Sequence, residues 1–360
     1  MLTADCRSGK YHNRISVFLD KGRGSVNPIV TVAIPTFRRP RLLAKAIRSV
    51  LDQTLEEFEL VVADNASGDE TEEVVRSFND PRVRYEVSST NIGPYANMTR
   101  ALTLGCAPYI SVLHDDDHFY PRNLEAKVAV LRNEPGVGTV HGPVDVIDAD
   151  GNVVESGLAY GEGHRPLEPG LDFILRSMRH VGLIDFSSAV MRRSCVRGHE
   201  FRSADKLNTC LGFRLRVAVT SDVAFVDEVL VARMQHEASW STTGGVESAV
   251  EGTYGVTVDH VIGTHRIKSD FLDEHSSRLP DADYLRREND RHARRELAFA
   301  LDRETWVSRD RKHTFALARK AAEIDARSLV QPRTIKALAA AAAGKQIRDH
   351  CRRVRHRFTA

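Results

Sequence analysis

The chain has 360 residues, 42% of them hydrophobic and 28% charged, with 51 Lys and Arg against 49 Asp and Glu. That length suits one large core with an appendage or two modest domains, and the near-neutral balance argues against a general nucleic-acid binder. The five cysteines are odd in number, scattered and without a C-x-x-C pair, which fits a reducing compartment and excludes a disulfide frame or zinc knuckle. The first residues lack the apolar segment of a signal peptide, and no stretch approaches the ~18 apolar residues that span a bilayer. A cytoplasmic location is therefore expected.

Residues 1–27 are polar and show no sustained period, so they read as a flexible extension. At Pro28 the pattern changes. Ile29 to Ile34 is a continuous apolar run, suited to a strand covered on both faces, and Pro35 closes it. Leu42, Leu43, Ala46, Ile47, Val50 and Leu51 then repeat at helical spacing. Leu60 to Ala63 is a second buried strand, ending in the polar turn Asp64-Asn65-Ala66-Ser67-Gly68-Asp69. Val83 to Val87 alternates as a strand, Asn91-Ile92-Gly93-Pro94 opens another helix, and Tyr109 to Leu113 is a further buried strand. Strands alternating with helices indicate a doubly wound parallel sheet.

After Pro121 a helix is expected to about Arg132. Val144 to Ile147 and Val153-Val154 flank the hairpin turn Asp148-Ala149-Asp150-Gly151. Ile184 to Met191, Val223 to Val226 and Val229 to Met234 read as strands, and Lys206 to Val219 as a helix. From about Ser241 the chain turns helical and charged, with Arg286 to Leu301, His313 to Ile324 and an Ala-rich helix after Pro332. Lys345, Arg348, Arg352, Arg353, Arg355 and Arg357 make its end basic.

The chemistry concentrates at strand ends. Asp115, Asp116 and Asp117 follow His114 directly after the Tyr109 strand, and adjacent carboxylates repel one another unless a cation or solvent answers them. In open α/β sheets ligands sit beyond the carboxyl ends of the strands. If the Tyr109 strand and the Leu60 strand flank the first, Asp64 and Asp116 stand roughly 10 Å apart, two strand spacings. That separation matches the span from a nucleobase to its diphosphate.

These strings resemble the successive motifs of family 2 glycosyltransferases: Val32-Ala33-Ile34-Pro35-Thr36-Phe37-Arg38-Arg39, Val62 to Asp69, Asn91-Ile92-Gly93 and Leu113-His114-Asp115-Asp116-Asp117. The resemblance covers about 28–239. It implies a GT-A type fold, with a doubly wound, mostly parallel mixed sheet over 28–240 and an appended helical domain over 241–360. It also implies inverting transfer from a nucleotide-diphosphate sugar, a UDP-sugar being favoured, to a hydroxylated glycan, lipid-linked sugar or small molecule with Mg²⁺ or Mn²⁺. By position, Pro35, Thr36 and Phe37 would line the nucleotide pocket, Asp64 would read the base, and Asn91 would touch the donor. Asp116 takes the principal metal position of the D-x-D motif. The first acid of that motif is His114 here, so Asp115 or Asp117 would supply the second carboxylate. Asp227 to His236 resembles a later family segment, which makes His236 a third ligand candidate. The family's acidic pair before the helix containing Leu215 falls at Thr209 and Cys210, neither of them a base of that kind. Asp205, one turn upstream, is the substitute base, and Asp185 the next choice. A nucleotidyltransferase and a non-catalytic nucleotide-sugar binder are the rival readings. The basic C-terminal tail reads as a solvated face, with a peripheral contact with anionic lipid as the alternative.

Overall fold

The computed structural model describes residues 27–159, 161–180, 184–235, 257–308, 311–324 and 329–342. Almost all of the N-terminal extension, His236 and the six basic residues from Lys345 onward lie outside them. Twelve strands are described, in chain order β1 (Val30–Thr36), β2 (Phe58–Asp64), β3 (Val83–Val87), β4 (Tyr109–Val112), β5 (His118–Phe119) and β6 (Val137–His141), then β7 (Val144–Ile147), β8 (Val153–Leu158), β9 (Leu167–Glu168), β10 (Val190–Arg192), β11 (Asp222–Phe225) and β12 (Val231–Met234). Eight form the main sheet in the order β3-β2-β1-β4-β10-β6-β11-β9, and the other four form a small sheet in the order β5-β12-β7-β8.

Apolar runs create the first half. β1 pairs in parallel with both β2 and β4, with Thr36 beside Asp64 and Ala33 beside Val112. Because side chains alternate across a strand, Val30, Val32 and Ile34 join Leu60 and Val62 in the core on one face. There they meet Leu43, Ile47 and Val50 of helix α1 (Pro40–Leu51) and Leu124, Val128 and Leu131 of a second helix (Asn123–Asn133). Each large side chain buried this way contributes about 1.5–3 kcal/mol. Ile110, Val112, Met191 and Val223 face the opposite side and pack on Phe173, Ile174 and Met178 of the helix Gly170–Arg179 and on Phe213 and Leu215 of the helix Thr209–Ala218. The same cluster takes in Phe271, Leu272, Leu279 and Leu285, so the core runs past residue 240 into the C-terminal helices.

Those helices are Val258–His275, Ala282–Ser308, Arg311–Ile324 and Pro332–Ala342. They also hold a core of their own around Val258, Val261, Leu297, Leu301 and Leu317.

Several stretches depart from expectation. Ile184 to Met191 is not one strand, since Phe186–Ser188 is a 3₁₀ turn and only Val190–Arg192 is extended. The cause is local: the Asp185 side chain accepts from Ser187 N at 3.1 Å and Ser188 Oγ donates to the Asp185 carbonyl at 2.8 Å, an alternative to ladder pairing. The sequence reading also passes over β5, β9, the helix Gly170–Arg179 and β6, the last although it sits inside the main sheet, between β10 and β11.

Candidate active site

β10 runs antiparallel to β4 and to β6, so the carboxyl ends of β1, β2, β4 and β6 share a rim with the amino end of β10. Strand order alone therefore brings Thr36, Asp64, the His114 to Asp117 string and Asp185 to one edge. Leu113 N donates to the Ala33 carbonyl at 3.0 Å, which carries the acidic string past β4 beside the last residues of β1.

At the β2 end, Asp64 is buried and hydrogen-bonded through both oxygens. Its Oδ1 accepts from Ser67 Oγ at 2.5 Å and Ser67 N at 3.1 Å, while Oδ2 accepts from the Tyr85 hydroxyl. Burial, and then the charge of Asp64, push the Tyr85 hydroxyl pKa up, so Tyr85 stays a donor. Arg38 and Ala66 both adopt left-handed backbone, at φ 56° and 62°. Arg38 N donates to Ser67 Oγ at 2.9 Å and its Nε to the Ser67 carbonyl at 3.1 Å, so the loops after β1 and β2 are tied together where both are strained. Asn91 Oδ1 accepts from Asn65 Nδ2 and from Gly93 N, each at 2.9 Å, which binds a third loop to the same place. Pro35 and Phe37 are partly buried beside it, and the Arg38 guanidinium lies 5.1 Å from the Phe37 ring centre.

The three aspartates beyond β4 have separate surroundings. Asp115 Oδ2 accepts from Thr36 Oγ1 at 2.7 Å, and Asp115 Oδ1 and Asp116 Oδ2 both face Arg39 Nη1, at 3.3 and 3.1 Å. Burial and then the Asp116 charge push the Asp115 carboxyl up to about 6. Asp117 is the most enclosed. It accepts from Ser187 Oγ at 2.5 Å and from Met234 N at 2.9 Å, which ties the acidic string to the turn before β10 and to the end of β12. Burial pulls the His114 imidazole pKa down, but Asp117, Asp116 and Asp185 outweigh it and carry it to about 9.

Ligand atoms of His114, Asp116 and Asp117 lie within 4.8 Å of one another. The carboxylate oxygens suit a hard divalent cation such as Mg²⁺ or Mn²⁺, and His114 would join them only after giving up its proton. His236 follows β12 by two residues and lies outside the described residues.

The two candidate bases are placed differently. Asp205 pairs with Arg216 at 3.8 Å, and its other charged neighbours are Arg202, Asp270 and Arg266, so it faces the C-terminal helices. Asp185 is 3.5 Å from Arg233 and its charge reaches His114 and Asp117. It also reaches the Cys210 thiol, which burial pushes up to about 11 with the Asp185 charge adding to the shift. Asp185 thus stands close to the helix start where the sequence lacks its acidic pair.

Sequence reasoning missed Arg39, Tyr85, Ser187 and Arg233 as parts of this site. Arg39 and Arg233 lay inside quoted motifs and carried a signal; Tyr85 and Ser187 reach the carboxylates through tertiary pairing and carried none.

Residues 31–197 match the family model described as glycosyl transferase family 2. Those residues, just under half of the chain, are similar to a family 2 glycosyltransferase domain. The chain is 32% identical over 105 residues to a putative colanic acid biosynthesis glycosyl transferase of Escherichia coli, 29% of this chain and 38% of that one, and 31% identical over 117 residues to the GalNAc(5)-diNAcBac-PP-undecaprenol beta-1,3-glucosyltransferase of Campylobacter jejuni, 32% of this chain and 37% of that one. A PGL/p-HBAD biosynthesis glycosyltransferase of Mycobacterium bovis is 26% identical over 62% of this chain and 80% of its own length. The chain spans 38%, 46% and 37% of the length of the first three curated relatives it matches. Among solved structures, S. aureus TarS 1-349 in complex with UDP-GlcNAc aligns with a TM-score of 0.50 at 15% identity, covering 87% of this chain and 90% of that one. That likeness confirms the fold as GT-A type, a mostly parallel central sheet followed by a helical region.

Proposed function

We propose that the protein transfers a sugar from a nucleoside-diphosphate sugar to a hydroxyl acceptor with inversion at the anomeric carbon. The observation that carries this reading is the convergence of Thr36, Asp64, the acidic string and Asp185 on one rim of the sheet. Asp64 holds the base: Oδ2 accepts from the Tyr85 hydroxyl and keeps its second lone pair, which suits the imide N–H of uracil, while Ser67 occupies both acceptor positions of Oδ1. Thr36, Pro35 and Phe37 line the nucleotide, and Asn91 supports that wall through Asn65. Asp116, with Asp115, Asp117, His114 and His236 as further candidates, would hold Mg²⁺ or Mn²⁺, which when bound stabilises charge on the departing diphosphate. Asp185 accepts the proton of the acceptor hydroxyl as its oxygen bonds to the anomeric carbon and the bond to the diphosphate breaks.

The undecaprenol-linked substrate in the name of the Campylobacter relative favours a lipid-linked acceptor. Residues 311–360 hold 13 Lys and Arg against 3 Asp and Glu, whereas the whole chain is nearly balanced, so this end suits an anionic membrane face. No described helix is long and apolar enough to cross a membrane. Sedimentation with anionic but not neutral vesicles, lost at high salt, is the expected result; equal partition into both rejects the membrane contact.

Donor chemistry tests the reading. With Mn²⁺ and a panel of nucleotide sugars, slow release of the nucleoside diphosphate is expected, accelerated by the right acceptor. Release of pyrophosphate from a nucleotide substrate supports the nucleotidyltransferase instead, and tight donor binding without turnover over a broad acceptor panel supports a binding protein. Asp116→Ala is expected to abolish the part of UDP affinity that chelator removes; an unaltered chelator effect takes Asp116 out of the metal site.

A further inference from the structure

We propose that Arg39 is a diphosphate-binding residue of this site and that, before the donor arrives, it competes with the divalent cation for the acidic string. The inference rests on the glycosyltransferase reading above. One nitrogen, Nη1, stands 3.3 Å from Asp115 Oδ1 and 3.1 Å from Asp116 Oδ2, so a single guanidinium spans two carboxylates that would otherwise repel each other. Asp116 is the carboxylate assigned above to the metal. A monovalent cation of the protein already neutralises the oxygen that a divalent one needs, and the two cannot approach it together without repulsion.

The backbone fixes where this side chain starts. Arg39 is the cap residue of α1, a 12-residue helix whose Leu43 N donates to the Arg39 carbonyl at 3.0 Å, and no acidic residue lies in the first turn. Arg38, the neighbouring residue, is tied to Ser67 through both its backbone and its guanidinium, so the chain enters α1 at a set angle. The Arg39 side chain is 28% exposed, against 8% and 11% for the Asp115 and Asp116 side chains. Its tip can leave the carboxylates by rotation about its own bonds, while the aspartates cannot follow. The helix start beside it favours anions. A guanidinium that gives up carboxylate oxygens finds matching geometry in phosphate oxygens, which present the same paired acceptors.

Two consequences follow from one exchange. With no nucleotide present, Arg39 weakens cation binding. With a diphosphate present, Arg39 transfers to it, frees Asp116, and the cation binds the same diphosphate. Cation and nucleoside diphosphate then bind with positive coupling, which linkage makes reciprocal.

The test uses the full chain with Mn²⁺, UDP and GDP as probes. Arg39→Met is expected to tighten Mn²⁺ binding in the absence of nucleotide by about fivefold or more, followed by the electron-paramagnetic signal of free Mn²⁺. In chelator, the same variant is expected to weaken UDP or GDP binding about tenfold or more, followed by calorimetry, with Arg39→Lys retaining part of it because charge survives but the fork does not. Melting curves of both variants report folding independently. Mn²⁺ affinity unchanged or weakened in Arg39→Met overturns the competition, and nucleotide affinity unchanged in chelator overturns the diphosphate role. If the wild-type protein binds neither UDP nor GDP with any divalent cation, the glycosyltransferase reading itself fails, an outcome distinct from a change confined to the variant.

Discussion

Asp185 and Asp205 are both partly buried carboxylates next to an arginine, and what separates them is what lies on the other side. Asp205 looks toward Arg202, Arg216 and Arg266, and Gly212 lets it approach so closely that a Cβ there would stand 2.6 Å from Asp205 Oδ2. That environment anchors a 3₁₀ turn to a helix. Asp185 looks toward the acidic string, and Arg214 Nη1 donates to the carbonyl of Ile184 at 2.5 Å, fixing the residue before it to the helix Thr209–Ala218. Asp185→Asn is expected to cut kcat about 10²-fold or more with nucleotide affinity retained, the scale of a lost general base. Asp205→Asn is expected to keep kcat within a few-fold while lowering the melting temperature. Steady-state kinetics and nucleotide calorimetry on both variants decide it, and the reverse pattern would restore Asp205 as the base.

Among elements, those covered on both faces were the most legible. β1, β2 and β4 read as near-continuous apolar runs because helices pack on each side. β6 is equally buried, yet Gly138, Thr139 and His141 break its apolar run. Its Gly138 is required by a close approach, since a Cβ there would meet Ser221 Oγ at 2.1 Å, a contact no periodicity reveals. In the site, Asp64 and the acidic string were legible because each is a local string at a strand end. Asp185 beside Cys210, Ser187 on Asp117 and Tyr85 on Asp64 join segments 21 or more residues apart, so spacing could not show them.

Helix packing makes its own prediction. Lys268, on the helix Val258–His275, is fully buried and donates to the His180 carbonyl at 2.8 Å, just past the end of the helix Gly170–Arg179. Burial pushes its amine down to about 7, against about 10.4 in an unfolded chain. Between those values the unfolded state binds more protons, so this lysine makes stability rise with pH and its penalty is complete below pH 7. Removing the amine removes that slope. In urea titrations the stability of Lys268→Met relative to wild type is expected to be most favourable at pH 6–7 and to fall steadily toward pH 9–10. A difference independent of pH places the folded-state amine near its ordinary value.

At the scale of the molecule, the sheet and the helices before residue 240 do not close their own core. Phe271, Leu272, Leu279 and Leu285 from beyond residue 257 complete the cluster around Phe173, Met178, Phe213 and Leu215. Arg179 with Glu288 at 2.7 Å and Arg202 with Glu274 at 2.6 Å rim the same junction, but such partly exposed pairs add little beside the apolar burial. At about 1.5–3 kcal/mol for each large side chain, losing these four approaches the whole stability of an ordinary domain, roughly 5–15 kcal/mol. We therefore expect the boundary near residue 240 to divide the chain but not its folding. Calorimetry of the full chain should show one transition joining the sheet to the helices around it. A fragment of residues 28–240 should lose its sharp transition and bind a hydrophobic dye, and Phe271→Ala in the full chain should cost about 3–5 kcal/mol. A fragment that melts cooperatively within a few degrees of the full chain would show that the sheet is sufficient alone, and the helices would then be an addition to the fold and no part of its core.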